Sequence, residues 1–405
     1  MNILYISNEY PPETGYGGIG TYTMHCAEGM AARGHSVHVL CRSLSAEAFT
    51  IEQNGVMVHR TSPGVYPLPS HRIFYPVRTL CYKAIPHSLS RLAWARQVYA
   101  AYKGLSALKE KFDIIEYPDC GGEGYYFSRE RRIPRVIRLH TPWEMVRGLD
   151  NIHESPFDRT LIGHIERHSA RRADAVTCPS SALARDLASR WRLKNITVFP
   201  NPLPIGGSTM TSGNDWIYTG RIEYRKGVHT LIEAYARLCE LQTPPKLRII
   251  GRPYGKLPDG KEYSEYIEQL IIRKGCESKI EWIRGVPLSS IQGYLQRSCV
   301  AIFPSIWENL SYGCLEAMAN GLAVVASRCG GFPEIINDEK NGLLFEPENV
   351  TELTEILSRL LADPLARKNL GTNARKSIET IYKSSIVCKQ TESFYENVIK
   401  GRIRG

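Results

Sequence analysis

The sequence predicts an α/β protein made of two doubly wound parallel-sheet domains that face a central cleft. Three observations carry this expectation. Short apolar runs alternate with segments of helical periodicity almost throughout the 405 residues. A proline- and glycine-rich stretch, Pro200 to Gly213, interrupts the alternation near the middle, and the alternation then restarts. A chain of this length can bury more than one core, and a composition 43% hydrophobic and 23% charged is that of an ordinary globular protein.

The elements follow in order. Asn2 to Ser7 reads as a short apolar strand, and Thr21 to Arg33 as a helix ended by Gly34. His35 to Cys41 alternates with the period of a strand. Leu89 to Lys111 carries Leu89, Leu92, Val98, Tyr102, Leu105 and Leu108 at helical spacing and reads as one long helix. Phe112 to Tyr117 and Arg135 to His140 read as strands, Asp158 to Arg172 as a helix, Ala173 to Cys178 as a strand, Ser180 to Arg190 as a helix and Ile196 to Phe199 as a strand. Past the break the strands are Asp215 to Thr219, Lys246 to Ile250, Ile280 to Ile283, Val300 to Phe303 and Ala323 to Ala326. Between them lie helices at Gly227 to Cys239, Tyr263 to Lys274, Leu288 to Gln296 and Tyr312 to Asn320. Val350 to Ala362, Pro364 to Ile381 and a segment from about Ser385 are helices as well. Parallel sheets of this kind bind ligands beyond the carboxyl ends of their strands.

Composition excludes several classes. No uncharged apolar run approaches the ~18 residues of a membrane span, and Met1 to Tyr10 lacks the features of a secretory signal. The eleven cysteines are odd in number, scattered and free of Cys-x-x-Cys pairs, which fits reduced cytosolic thiols better than disulfides or a zinc site. The sequon at Asn195 to Thr197 is then incidental. The net charge of +10 is uneven: Gln53 to Lys109 holds no Asp or Glu. It holds Arg60, Arg72, Arg78, Lys83, Arg91, Arg96, Lys103 and Lys109, interleaved with Tyr66, Phe74, Tyr75, Tyr82, Trp94, Tyr99 and Tyr102. Such a surface suits anionic lipid headgroups or anionic substrates, or is a solvated helix face. Nucleic acid is not expected, because zinc-finger spacing and RNP aromatics are missing.

Gly15-Tyr16-Gly17-Gly18-Ile19-Gly20 is a literal G-x-G-x-x-G ahead of a helix. A nicotinamide site fits poorly. Asn8 to Thr14 separates the strand from the glycines, and the second strand ends at Cys41-Arg42-Ser43 without the acidic residue that holds a ribose. What remains is a glycine loop through which backbone N–H groups can approach an anion such as a diphosphate. In the second half Arg221 and Lys226 fall at the carboxyl end of a strand, where two cations can neutralise a diphosphate as a bond to it breaks. The segment Phe303 to Gly321 places Glu308 in a loop and Glu316 inside the following helix, with the amides of Leu310, Ser311 and Tyr312 at its N-terminus. A carboxylate accepts two sugar hydroxyls, so Glu308 suits a hexose and Glu316 a ribose. His164 and His168 are spaced i, i+4 but lack a third ligand and read as a solvated helix face.

This last segment resembles the E-x7-E signature of retaining GT-B glycosyltransferases of family 4 (GT4), and the resemblance covers nearly the whole chain. Gly17 to Gly20 resembles that family's first glycine loop, and Val136 to His140 with Thr141-Pro142 the strand whose terminal histidine touches the donor sugar. Pro200-Asn201-Pro202 resembles its hinge, Gly220-Arg221 to Lys226-Gly227 its phosphate-binding segment, and Ile249 to Gly251 and Arg284 to Val286 the loops around the base. Asn309 stands where many members carry glycine, and Pro202-Leu203 where Gly-Val-Asp is common. Within the family, Ile115 to Asp119, Gly121 to Gly124 and Arg138 to Pro142 look like bacterial polysaccharide-assembly members.

The resemblance implies two Rossmann-like domains, residues 1–203 for the acceptor and 204–384 for the nucleotide sugar, with a helix at 385–405 crossing back to the first. It implies Arg221, Lys226, Gly17 and Gly18 around the donor diphosphate, together with the Asn309, Leu310, Ser311 and Tyr312 loop. Glu316 would take the ribose, Gly251, Gly285 and Val286 the base, and Glu308 and His140 the hexose. The catalytic set is then Glu308, His140, Lys226 and Arg221. No Asp-x-Asp occurs, so positive side chains and helix dipoles are expected in place of a metal, with no other cofactor. The expected reaction is transfer of a hexose, from UDP-glucose first and GDP-mannose second, to a saccharide or lipid-linked saccharide, with retention. The leaving phosphate oxygen would accept the acceptor proton. The expected place is the cytoplasm, at the inner face of the membrane. Alternatives are a GT-B nucleotide-sugar epimerase, for which the cation and carboxylate set is ill suited, and a non-catalytic nucleotide-sugar binder.

Overall fold

Two sheets organise the chain in the computed structural model, which describes residues 1–14, 17–45, 47–61, 86–107, 111–150, 152, 154–206, 213–257 and 259–403. The first contains β1 (Asn2–Ile6), β2 (Ser36–Arg42), β3 (Phe49–Gln53), β4 (Val56–Thr61), β5 (Ile114–Pro118), β6 (Arg135–Arg138), β7 (Ala175–Cys178) and β8 (Ile196–Val198). Its helices are α1 (Gly18–Ala31), α2 (His87–Ala107), α3 (Trp143–Leu149), α4 (Pro156–Arg172) and α5 (Ser181–Trp191). The second contains β9 (Asp215–Thr219), β10 (Leu247–Ile250), β11 (Ile280–Ile283), β12 (Ser298–Phe303), β13 (Ala323–Ser327) and β14 (Leu343–Phe345). Its helices are α6 (Val228–Leu241), α7 (Tyr263–Arg273), α8 (Leu288–Gln296), α9 (Tyr312–Ala319), α10 (Phe332–Ile335), α11 (Val350–Ala362) and α12 (Pro364–Ser377), and α13 (Ser384–Ile403) follows.

The strand orders are β3-β4-β2-β1-β5-β6-β7-β8 and β11-β10-β9-β12-β13-β14. The order of the parallel strands switches between β1 and β5 in the first sheet and between β9 and β12 in the second. A crevice opens beyond the carboxyl ends of the strands at each switch. Central strands are apolar on both faces, as helices packed on either side require: Ile3 and Leu4 in β1 and Trp216 and Ile217 in β9 are fully buried.

Several expectations need correction. The first sheet is not wholly parallel, because β3 and β4 pair as an antiparallel hairpin at its edge. Asn54 and Gly55 turn it with φ of 51° and 76°, the left-handed pair that a two-residue hairpin needs. Helix α1 starts at Gly18 rather than Thr21, with Gly17 extended as its N-cap. Strand β6 stops at Arg138, short of His140, because the carboxylate of Asp119 takes the His140 N–H at 2.9 Å and leads the chain out of the ladder. Strand β14 was not expected at all.

The basic stretch changes most. Arg60 is 2% exposed and pairs with Glu13 at 2.9 Å, so it is an interior cation. Arg91 pairs with Glu166 at 3.3 Å and stacks over Trp143. Lys103 pairs with Glu130 at 3.0 Å. Trp94, Tyr99 and Tyr102 pack into or against the core, with the Lys103 ammonium over the Tyr99 and Tyr102 rings. Arg72, Arg78, Lys83, Lys109, Tyr66, Phe74, Tyr75 and Tyr82 lie outside the described residues. Among the described residues, no helix is long and apolar enough to cross a membrane.

The chain passes between the sheets twice, and the passes are hydrogen-bonded to each other. Leu203 N–H donates to the Tyr382 carbonyl at 2.8 Å, and Ser384 N–H donates to the Leu203 carbonyl at 2.9 Å. Helix α13 then lies on α1. Its Glu392 pairs with Arg33 and His35, and its Tyr395 hydroxyl donates to Glu116 of β5 at 2.7 Å.

Candidate active site

At the switch in the second sheet a single helical turn, Tyr224–Lys226, follows β9. Gly227 ends it with φ of 65°, and a Cβ there would overlap the carbonyl of Pro304. This close approach sets Lys226 beside the end of β12. Its ammonium pairs with the Glu308 carboxylate. The other Glu308 oxygen accepts the Asn309 N–H at 3.2 Å, and the Glu308 carbonyl accepts the Gly331 N–H at 2.9 Å. Burial raises the proton affinity of Glu308, but the Lys226 ammonium and the Arg225 guanidinium outweigh it and hold the carboxyl below its usual range. Glu308 is therefore an anion with no proton to donate.

Arg225 was missed as a functional residue. It is buried, with its guanidinium 2.5 Å from Glu223 and 3.3 Å from Asp150 of the first domain. Arg221 differs: its side chain is 43% exposed, lies 3.4 Å from Glu223 and stacks over Tyr254. It is the cation of this segment open to a ligand.

After β12, the Ser311 hydroxyl caps α9 by accepting the Cys314 N–H at 3.3 Å. The N–H groups of Leu310, Ser311 and Tyr312 donate to no group among the described residues. Three unspent donors at a helix N-terminus, at the strand end that also holds Lys226, form an anion site. The Tyr312 hydroxyl points elsewhere, to the Pro202 carbonyl at 3.3 Å.

Glu316 faces a cavity of about 320 Å³ between the linker Leu203–Gly206 and helices α8, α9 and α12. Gln292, Gln296, Asn320 and Arg375 line it as well. The Glu316 carboxyl has no hydrogen-bond or ion partner among the described residues, and burial alone pushes it up to about 7. The two carboxyls of the E-x7-E segment are thus shifted in opposite directions. Gly251 and Gly285 stand at the ends of β10 and β11, but both of their N–H groups are spent on the Ile283 carbonyl. The Val286 N–H donates to no group among the described residues.

In the first domain, His140 lies just past β6, its ring edge-on to Tyr22 with centroids 5.1 Å apart. Burial and the nearby Arg138 lower its pKa to about 3, so the imidazole is neutral. Gly17 and Gly18 stand at the start of α1; a Cβ on Gly18 would meet nothing within 4 Å, which leaves its face open. Gly15 and Tyr16 lie outside the described residues. The histidine pair stays apart from the site, with His164 exposed and His168 3.2 Å from the Ser128 hydroxyl. The structure therefore joins Lys226, Glu308, Asn309 and His140 in one connected set. Arg221 and the Gly251, Gly285 and Val286 loops lie at carboxyl ends of strands of the same sheet without touching that set, and Glu316 faces its own cavity beside Gln296, Asn320 and the linker.

Residues 16–205 match the model described as Glycosyltransferase Family 4, and residues 210–377 the one described as Glycosyl transferases group 1. The D-inositol 3-phosphate glycosyltransferase of Kribbella flavida is 31% identical over 405 residues, covering 92% of this chain and 89% of the relative. The chain belongs to glycosyltransferase family 4. This glycosyltransferase is also 27% identical to the MMP alpha-(1->4)-mannosyltransferase of Mycolicibacterium hassiacum across 98% of both chains. Its two-domain arrangement is the GT-B fold. Sucrose-phosphate synthase from Thermosynechococcus elongatus superposes with a TM-score of 0.78 at 20% identity, covering 99% of both chains. Anabaena HepE, solved with UDP and glucose, superposes at 0.69 and 20% identity, covering 98% of this chain and 99% of that one.

Proposed function

We propose that this glycosyltransferase moves a hexose from a nucleotide diphosphate sugar to a hydroxyl of a saccharide or lipid-linked saccharide in extracellular polysaccharide synthesis. The anomeric configuration is retained, no metal is needed, and the enzyme works in the cytoplasm at the inner membrane face. The observation that carries the reading is the Lys226–Glu308 pair beside three unspent N–H donors at the start of α9.

The donor diphosphate takes those amides, with Lys226 and Arg221 as its cations. Ribose hydroxyls donate to Glu316 in its cavity, and the base edge meets Val286 and Gly285. Glu308, kept ionised, accepts a hexose hydroxyl, and the neutral His140 imidazole contacts the hexose from the other domain. As the bond from the anomeric carbon to the phosphate oxygen breaks, one forms from that carbon to the acceptor oxygen on the same face. The departing phosphate oxygen takes the acceptor proton. Lys226 and the helix dipole stabilise the charge that develops on it.

UDP-glucose is the first choice of donor, in keeping with HepE, which was solved with UDP and glucose. GDP-mannose is the second reading, favoured by the mannosyltransferase relative. The test is a thermal-shift screen with UDP, GDP, ADP, NADH and their common sugars. Specific binding at a hundredfold excess over Kd stabilises the fold by roughly 2.7 kcal/mol. A shift with one nucleoside diphosphate and its sugar fixes the donor; a shift with none of them, or with NADH alone, rejects the reading.

A further inference from the structure

We propose that Asn309 is a positioning residue that sets Glu308 against His140 only when the two domains are closed on each other. The proposal rests on the reading of Glu308 and His140 as the sugar-side groups.

Asn309 is 6% exposed, yet its whole side chain is spent on the other domain. Its Oδ1 accepts the Ser180 hydroxyl at 2.6 Å, and its Nδ2 donates to the His140 carbonyl. The orientation is fixed, because a flipped amide would set its oxygen against that carbonyl. Its main chain works in the opposite direction, donating N–H to the Glu308 carboxylate at 3.2 Å. One residue thus grips the Glu308 carboxylate with its backbone and the His140 peptide with its side chain.

A second cross-domain contact lies on the same element. Ser180 also caps α5, accepting the Leu183 N–H at 3.2 Å. The next two N–H groups of that helix, Ser181 and Ala182, donate to the two oxygens of Glu334 at 2.7 and 2.8 Å. Glu334 follows Gly331, whose backbone presses on the Asn309 carbonyl so closely that a Cβ would not fit. The start of α5 is therefore where the Glu308 loop and its neighbour dock. An opened cleft breaks both contacts and frees the His140 peptide from the Glu308 loop.

The test compares Asn309→Ala and the isosteric Asn309→Asp with wild type. Turnover with the donor nucleotide sugar gives kcat, calorimetry with UDP or GDP gives Kd, and hydrogen exchange is read at Ser181 and Ala182. Misplacement of reacting groups by about 1 Å costs on the order of a hundredfold. The expected result is a kcat roughly ten- to a hundredfold lower with nucleotide Kd within about threefold, and faster exchange at the two amides. A kcat within about threefold of wild type overturns the proposal, as does a Kd that weakens in step with kcat, which would make Asn309 a donor ligand. A wild type inactive with every nucleotide sugar counts instead against the functional reading. Exchange at Ser181 and Ala182 then decides this one, and unchanged rates in both variants overturn it.

Discussion

Arg225 of the second domain and Asp150 of the first are joined twice across the cleft. The guanidinium lies 3.3 Å from one carboxylate oxygen, and the Arg225 N–H donates to the other at 3.1 Å. The same guanidinium helps keep Glu308 ionised. One buried cation therefore serves both domain contact and the charge state of the site.

Replacing it should expose both roles. Arg225→Met leaves Asp150, Glu223 and Glu308 without their shared counter-ion. Breaking such a buried network costs about 3–5 kcal/mol, read as a lower Tm. The acid limb of the kcat/KM profile should also move to higher pH, because the Glu308 carboxyl loses a cation that lowers its proton affinity. An unmoved acid limb would separate Arg225 from the site.

Lys226→Ala should lose most of the activity, on the order of 10²–10³-fold in kcat, since under the proposed mechanism it removes the cation that stabilises the departing phosphate. Glu308→Gln should retain measurable turnover, as a group that binds and orients a sugar without attacking it. A glycosyl-enzyme trapped on Glu308 would overturn the front-face mechanism.

Nucleotide affinity should depend on pH through Glu316. Its carboxyl sits at about 7, and ribose hydroxyls donate to the ionised form. Affinity should therefore fall by up to about tenfold per unit below pH 7. Stability runs the other way. The folded state holds this proton more tightly than the unfolded chain, so stability is lost as pH rises from the ordinary carboxyl range toward 7. Glu316→Gln should flatten the calorimetric pH dependence and raise Tm at pH 8 relative to wild type.

Activity should survive excess chelator if, as proposed, Lys226, Arg221 and the α9 amides neutralise the diphosphate in place of a metal. Loss of turnover restored by Mn²⁺ would sink metal independence.

Binding to anionic vesicles, measured by co-sedimentation, should weaken when Arg96 and Lys103 are replaced by glutamine. Arg91 is left out because Glu166 and Trp143 already hold it. Retention equal to wild type would reject a membrane role for the exposed cations of α2.

The architecture was largely legible because parallel strands and their helices announce themselves by period and punctuation. The β3–β4 hairpin is legible in hindsight only through Asn54-Gly55, the turn that makes it, because the charge pattern of that stretch carries no strand signal. Glu308 and Glu316 were found by spacing, but the opposite shifts of their proton affinities were not legible. They depend on which cation reaches each carboxyl in three dimensions. Arg221, Arg225 and Lys226 look alike in one dimension. Only the fold shows that Arg225 is interior, because its partner Asp150 lies 75 residues away. Arg60 failed for the same reason: a run without acidic neighbours looks like a surface until Glu13 folds onto it.

The Tyr395 hydroxyl that completes Glu116 comes from 279 residues further along the chain. At roughly 5–20 residues per second, a ribosome needs on the order of tens of seconds to supply it. Through that interval the first domain carries the buried Glu116 carboxyl on the Tyr22 hydroxyl, without its second donor. Its core is therefore finished only after the second domain has been synthesised. Helix α13 acts as a clasp on the order of assembly, making the two halves mature together although each has a sheet of its own.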